Sequence, residues 1–172
     1  GLLRCGLALL SCRMVDAAAG EVNSEQQLKA AFLINFLKYV QWPDGGDAAT
    51  ICLAGRDTLG PYLAGAEGRQ VAGRELRVKR IAGPDQIDDC QLLFVPEADE
   101  ARFVAVLHWV ESRPVLTVSD SDAFIRQGGA IALVRAEGRL QFEVNAEAIH
   151  RAGLKPSSQM MRLARSVGSR SR

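Results

Sequence analysis

Few side chains in this chain are equipped for chemistry. Its histidines are His108 and His150, and neither belongs to a recognisable metal-binding or general-base pattern. The nucleophile elbow G-x-S-x-G is absent, as are the phosphate-cradling loops G-x-x-x-x-G-K-[ST] and G-x-G-x-x-G. No catalytic residue, metal ligand or cofactor is assigned on this reading, and the chain reads as a non-enzyme. Two short segments keep a binding role open. Gly55-Arg56-Asp57 follows an apolar run and precedes a helix start, so backbone N–H groups there could hold a small anion. Ser119-Asp120-Ser121-Asp122 follows another apolar run. Its carboxylates could do acid–base work, hold a cation, or simply cap a polar loop. If the two runs are parallel strands, Gly55, Arg56, Asp57, Ser119 and Asp120 meet at the strands' carboxyl ends, where open α/β sheets bind ligands. A third feature is aromatic: Phe32, Phe36, Tyr39 and Trp42 crowd one stretch. Core packing accounts for such a set. The alternative is a partner-docking face carried by Phe36, Tyr39 and Trp42.

The elements that must position these residues follow from periodicity. Residues 24–40 carry apolar side chains at helical spacing, with Ser24 as N-cap and Gln27 three residues on, and Pro43 ends the run. Short apolar strands are expected at 50–54, 91–95 and 114–118, and an alternating, one-face-exposed strand at 75–81. Helices are expected from Asp57 or Thr58 to about 64, at 98–111 and at 123–127. Residues 130–134 and 139–144 form a hairpin around Ala136-Glu137-Gly138. Asn145 caps a helix that Gly153 stops, and Pro156-Ser157 opens a last helix to about 167. The expected fold class is therefore α/β: a single domain with a largely parallel or mixed sheet of five to six strands. Helices flank both faces, and an antiparallel hairpin lies in the C-terminal half.

Bulk composition narrows the partners. The 172 residues are 48% hydrophobic and 24% charged, with 21 Lys plus Arg against 20 Asp plus Glu, a net charge of +1. That balance provides no global field for nucleic acid. A local basic end, with Arg162, Arg165, Arg170 and Arg172, reads as a helix end and a tail over residues 168–172. At the other end, Arg4, an apolar run and Ala17-Ala18-Ala19 read as a signal peptide over residues 1–19, whose start can lie upstream. Leu9-Leu10-Ser11-Cys12 is a weaker lipoprotein alternative. On this reading Cys5 and Cys12 leave with the signal, and an exported chain keeps Cys52 and Cys90. Two cysteines in an oxidising compartment point to one bridge; two buried thiols are the alternative.

Taken together in order, the motifs resemble the YfiR family. Gln27-Leu28-Lys29-Ala30-Ala31-Phe32-Leu33-Ile34-Asn35-Phe36 and Tyr39-Val40-Gln41-Trp42-Pro43 resemble its opening signature. Ile51-Cys52-Leu53-Ala54-Gly55, Cys90-Gln91-Leu92-Leu93-Phe94-Val95 and Pro114-Val115-Leu116-Thr117-Val118-Ser119-Asp120 follow, then Gly128-Gly129-Ala130-Ile131 and Phe142-Glu143-Val144-Asn145, and the set closes with the run Leu154 to Ala164. The resemblance implies a domain over residues 24–167: a small periplasmic regulator, not an enzyme, that works as a dimer. It further implies inhibition of the periplasmic sensor domain of an inner-membrane diguanylate cyclase, lowering cyclic di-GMP and biofilm output, and sequestration by an outer-membrane lipoprotein. It pairs Cys52 with Cys90. A second cysteine pair found in some relatives has no counterpart here. The competing expectation is a periplasmic small-molecule sensor with its ligand site at the carboxyl edge of the sheet.

Overall fold

The computed structural model describes residues 13–168. The greater part of the expected signal segment, with Cys5 and Cys12, and the tail residues 169–172 lie outside the described residues. A long helix, α1 (Arg13–Tyr39), runs directly into β1 (Val40–Gln41). The elements that follow are β2 (Ala48–Ala54), α2 (Gly60–Leu63), β3 (Gln70–Val71), β4 (Arg74–Ile81) and β5 (Leu92–Val95). Next come α3 (Phe103–Trp109), β6 (Leu116–Ser119), α4 (Ala123–Arg126), β7 (Ile131–Ala136) and β8 (Arg139–Asn145). The last are α5 (Ala146–Arg151), β9 (Lys155–Pro156), α6 (Ser158–Leu163) and β10 (Ser166–Gly168).

One eight-stranded sheet takes the order β10-β8-β7-β6-β5-β2-β4-β3. Its centre, β4-β2-β5-β6-β7, is parallel, and β7 and β8 form the expected antiparallel hairpin. Glu137 and Gly138 both take positive φ at its tip (57° and 75°), the left-handed pair that a tight hairpin turn demands. The α/β class and the hairpin stand; the expected five to six strands do not. The additional strands are short edge pieces. β3 adds Gln70–Val71 to β4, and β10 adds Ser166–Gly168 to β8. Neither leaves a periodic apolar trace. A separate pair, β1 and β9, matches Val40 with Pro156 and ties the end of α1 to the entry of α6.

Alternation along the central strands separates two cores. Ile51 and Leu53 of β2, Leu92 and Phe94 of β5, and Leu116 and Val118 of β6 face one layer, made by α1, α2, α5 and α6. Cys52 and Ala54, Leu93 and Val95 face the other, made by α3 and α4. Phe36 of α1 packs edge-on to Phe142 of β8 with ring centroids 5.2 Å apart, and Phe32 meets the same ring at 5.8 Å. On the opposite face Phe103 and Phe124 meet at 4.8 Å. The Cys52–Cys90 disulfide lies in this second core, with Cα atoms 5.7 Å apart.

Three element boundaries depart from expectation for identifiable reasons. Ser24 lies inside α1 and caps nothing there, because the Ala-rich stretch before it is itself a good helix former. The helix expected over 98–111 is a 3-10 segment, Glu97–Arg102, followed by α3; Asp99 leaves helical geometry (φ −110°, ψ 28°) because its carboxylate bonds to the backbone of Arg56. The last helix stops at Leu163, not near 167. There Arg165 N–H donates to the carbonyl of Phe142 at 2.8 Å and its guanidinium to Glu143 at 2.7 Å, drawing the chain into β10. Gly168, expected in the tail, belongs to that strand.

The disulfide closes a loop of 38 residues. In the chain-entropy picture such a closure stabilises by about 3–4 kcal/mol. The double variant Cys52→Ser/Cys90→Ser should lose stability on that scale in urea denaturation, and reductant should lower the melting temperature of the parent protein but not of the variant. Equal melting curves for the two oxidised proteins would remove the bridge from the stability account.

Candidate functional site

The chain leaves β2, crosses to β4 on one side, and returns to β5 on the other. The carboxyl ends of β2 and β5 are thus the topological switch point where an open α/β sheet offers a crevice. Gly55, Arg56 and Asp57 follow β2, and Ser119 and Asp120 close β6 on the far side of β5. The five candidate ligand residues therefore share one sheet edge. The segment after β5 passes between them and bonds to both sides.

On one side, Asp99 Oδ2 accepts the Arg56 N–H at 2.8 Å. Gly55 has φ 78°, and a Cβ there would collide with the Asp99 carboxylate, so glycine is needed twice over. Asp57 turns away: Oδ1 accepts the Gly60 N–H at 2.7 Å, and Oδ2 accepts Arg80 Nε at 2.6 Å. Asp57, and not Thr58, thus satisfies the start of α2; Thr58 Oγ1 is buried without a protein partner. On the other side, Asp120 takes Lys29 Nζ of α1 at 2.8 Å and the Glu97 N–H at 2.7 Å, one on each oxygen. This ion pair is sheltered, with side-chain exposures of 13% and 11%. Ser119 is fully buried, and its Oγ accepts the Ser121 N–H at 3.2 Å.

The place where a helix N-terminus or turn would hold a ligand's anion is thus filled by the chain's own Asp99. A ligand entering the crevice would have to displace that carboxylate. Asp99, Lys29 and Arg80 are members of this edge that sequence reasoning missed. No local sequence pattern marks them, because each is placed by a partner far away in the chain. Among the described residues, no three His, Cys, Asp or Glu side chains gather where a metal could sit. His108 is exposed on α3 with Nδ1 3.1 Å from Glu111, and His150 is exposed on α5.

The expected docking face divides. Phe36 is 2% exposed and belongs to the first core, so it cannot present itself to a partner; its position on α1 points straight at Phe142. Tyr39 and Trp42 are half-buried, both packed against the same core. Trp42 Nε1 donates to the Gln91 carbonyl at 3.1 Å, which ties the loop after α1 to the foot of β5. The aromatic set is first of all a clamp for α1.

A family model described as YfiR/HmsC-like matches residues 26–165. The chain belongs to this family. Its members are known as periplasmic and regulatory rather than catalytic, and the Cys52–Cys90 bridge accords with export. Among solved structures, a conserved domain protein from Vibrio cholerae superposes with TM-score 0.58 at 8% identity, over 83% of this chain and 60% of that one. An ABC domain from Streptococcus pneumonia, solved in complex with L-Trp, gives TM-score 0.55 at 12% identity, over 78% of this chain and 59% of that one. At such identities the likeness is one of fold. The YfiR/HmsC-like chain spans about three fifths of each of these proteins.

Removing the Asp120 carboxylate strands the Lys29 ammonium and the Glu97 N–H. Asp120→Ala should therefore cost about 2–3 kcal/mol, whereas Lys29→Met, which keeps the Glu97 bond, should cost less. Urea denaturation of the two variants checks the order; the reverse order would mean that Asp120 does not anchor this edge.

Proposed function

We propose that this domain is a periplasmic regulator that docks the sensor portion of an inner-membrane diguanylate cyclase and holds the enzyme down. Cyclic di-GMP and biofilm formation fall as a result. The observation that carries this reading is membership of the YfiR/HmsC-like family across residues 26–165. The physics asks for no turnover. A rigid body that binds one state of a two-state sensor better than the other shifts the sensor by the difference in affinity, and by no more. The self-bonded carboxyl edge and the disulfide-closed second core supply a body of that kind. In the same reading the protein acts as a homodimer, and an outer-membrane lipoprotein relieves inhibition by sequestering it.

Deleting the gene should raise cyclic di-GMP roughly five-fold or more, the lower range of a typical allosteric coupling. The tagged protein should retain a membrane cyclase through its periplasmic part. Unchanged cyclic di-GMP together with no cyclase in the pull-down would sink the proposal.

A further inference from the structure

A cavity lies at the end of the sheet opposite the crevice. It holds about 570 Å³ between α3 and α5, over the starts of β6 and β7, where Val115, Thr117 and Ala130 form its floor. That volume falls within the usual range for small-molecule sites. Its walls arise from a surplus of apolar side chains on α3. Phe103, Val106 and Val110 satisfy the second core. Val104 and Leu107 lie on a further stripe that turns toward the cavity, and Val104 is 72% exposed. Across from them stand Ile149, Ala152 and Leu154 at the end of α5. Both cores thus come to the surface here, and every apolar group lining the space is aliphatic.

The polar lining is biased. Arg113, Arg151 and His108 face a single acid, Glu111. Each has an acidic neighbour: Arg113 pairs with Asp88, His108 Nδ1 lies 3.1 Å from Glu111, and Arg151 pairs with Glu147 more loosely. Arg151 approaches Glu147 only to 3.7 Å, beyond hydrogen-bond reach, on a side chain 61% exposed. Its planar fork suits a carboxylate in two-point contact.

We propose that this cavity binds a medium-chain aliphatic carboxylate, the chain lying between Val104, Leu107 and Leu154 and the carboxylate meeting Arg151. No Phe, Tyr or Trp lines the cavity, which disfavours a stacked ligand, and the exposed fork of Arg151 offers an anionic end its contact.

Octanoate is the probe, titrated into the purified full chain with its disulfide intact, and followed by calorimetry and thermal shift. Octanoate should bind and raise the melting temperature. 1-Octanol, of the same length without the charge, should bind about ten-fold more weakly, and Arg151→Gln should bring octanoate down to the same level, one charge-assisted contact being worth about that much. Val104→Asp, at an exposed position that leaves the core untouched, should abolish binding with an unchanged circular dichroism spectrum. The proposal is overturned if octanoate leaves the parent protein unaffected, or if both variants bind it as the parent does. It fails equally if sedimentation shows Val104→Asp splitting an oligomer while octanoate has no effect, for the cavity is then a contact between copies.

Discussion

Leu92 to Val95 are buried on both faces of the sheet, and that double burial governs the rest of the molecule. A strand with apolar side chains pointing both ways cannot face water on either side, so each side needs a helical layer. β5 sends Leu92 and Phe94 into one core and Leu93 and Val95 into the other, and β2 beside it follows the same rule, with Ile51 and Leu53 against Cys52 and Ala54. Each fully buried side chain of this size contributes about 1.5–3 kcal/mol against exposure. The position of α1, the seating of α3 and the location of the disulfide are all consequences. Cys52 falls on the α3 side because it alternates with Ile51 and Leu53, and Cys90 reaches it from the turn that leads into β5.

What was readable in the sequence follows from the same rule. The central strands and the hairpin announce themselves, as continuous apolar runs or as strands around a turn with a forced backbone, and so does the Asn145 cap, whose Oδ1 accepts the Ala148 N–H at 3.2 Å. The edge strands β3 and β10 do not, because two or three residues paired on one side, with Val71 alone buried, leave no pattern. Helix ends were misplaced where a distant bond decides them. Asp99 breaks its helix for Arg56, and Arg165 ends one for Phe142 and Glu143. Local propensity holds no information about partners so far away in the chain. The aromatic cluster shows the converse case: its composition suits a core and a docking face equally, and only the burial of Phe36 separates them.

The two ends of the sheet differ in character. The carboxyl edge, where α/β folds most often bind ligands, is closed by its own polar groups, with Asp99 and Asp120 each holding a neighbouring segment in place. The amino edge is open and aliphatic between α3 and α5. Closing one end with hydrogen bonds fixes the loops there and leaves the other as the place where apolar surface meets solvent. For a regulator, this separates the part that keeps its shape from the part with surface to spare.

Helix α1 carries a similar division along its own length. From residue 20 onward its fully buried side chains begin at Ala30; between residues 20 and 29 none is fully buried. That earlier stretch is fastened by polar links: Asn23 to Tyr62 at 2.8 Å, Glu25 to Arg135 at 2.9 Å, and Lys29 to Asp120. The Glu25 carboxylate also holds the Arg135 guanidinium above its ordinary pKa. One continuous helix is therefore held in two ways. A stretch held by buried apolar contacts opens at a higher free energy than one held by polar links near the surface. The Glu25 link, lying at the surface, weakens as ionic strength rises. Amide exchange along α1 would thus change near Ala30, at a point where the backbone shows no break.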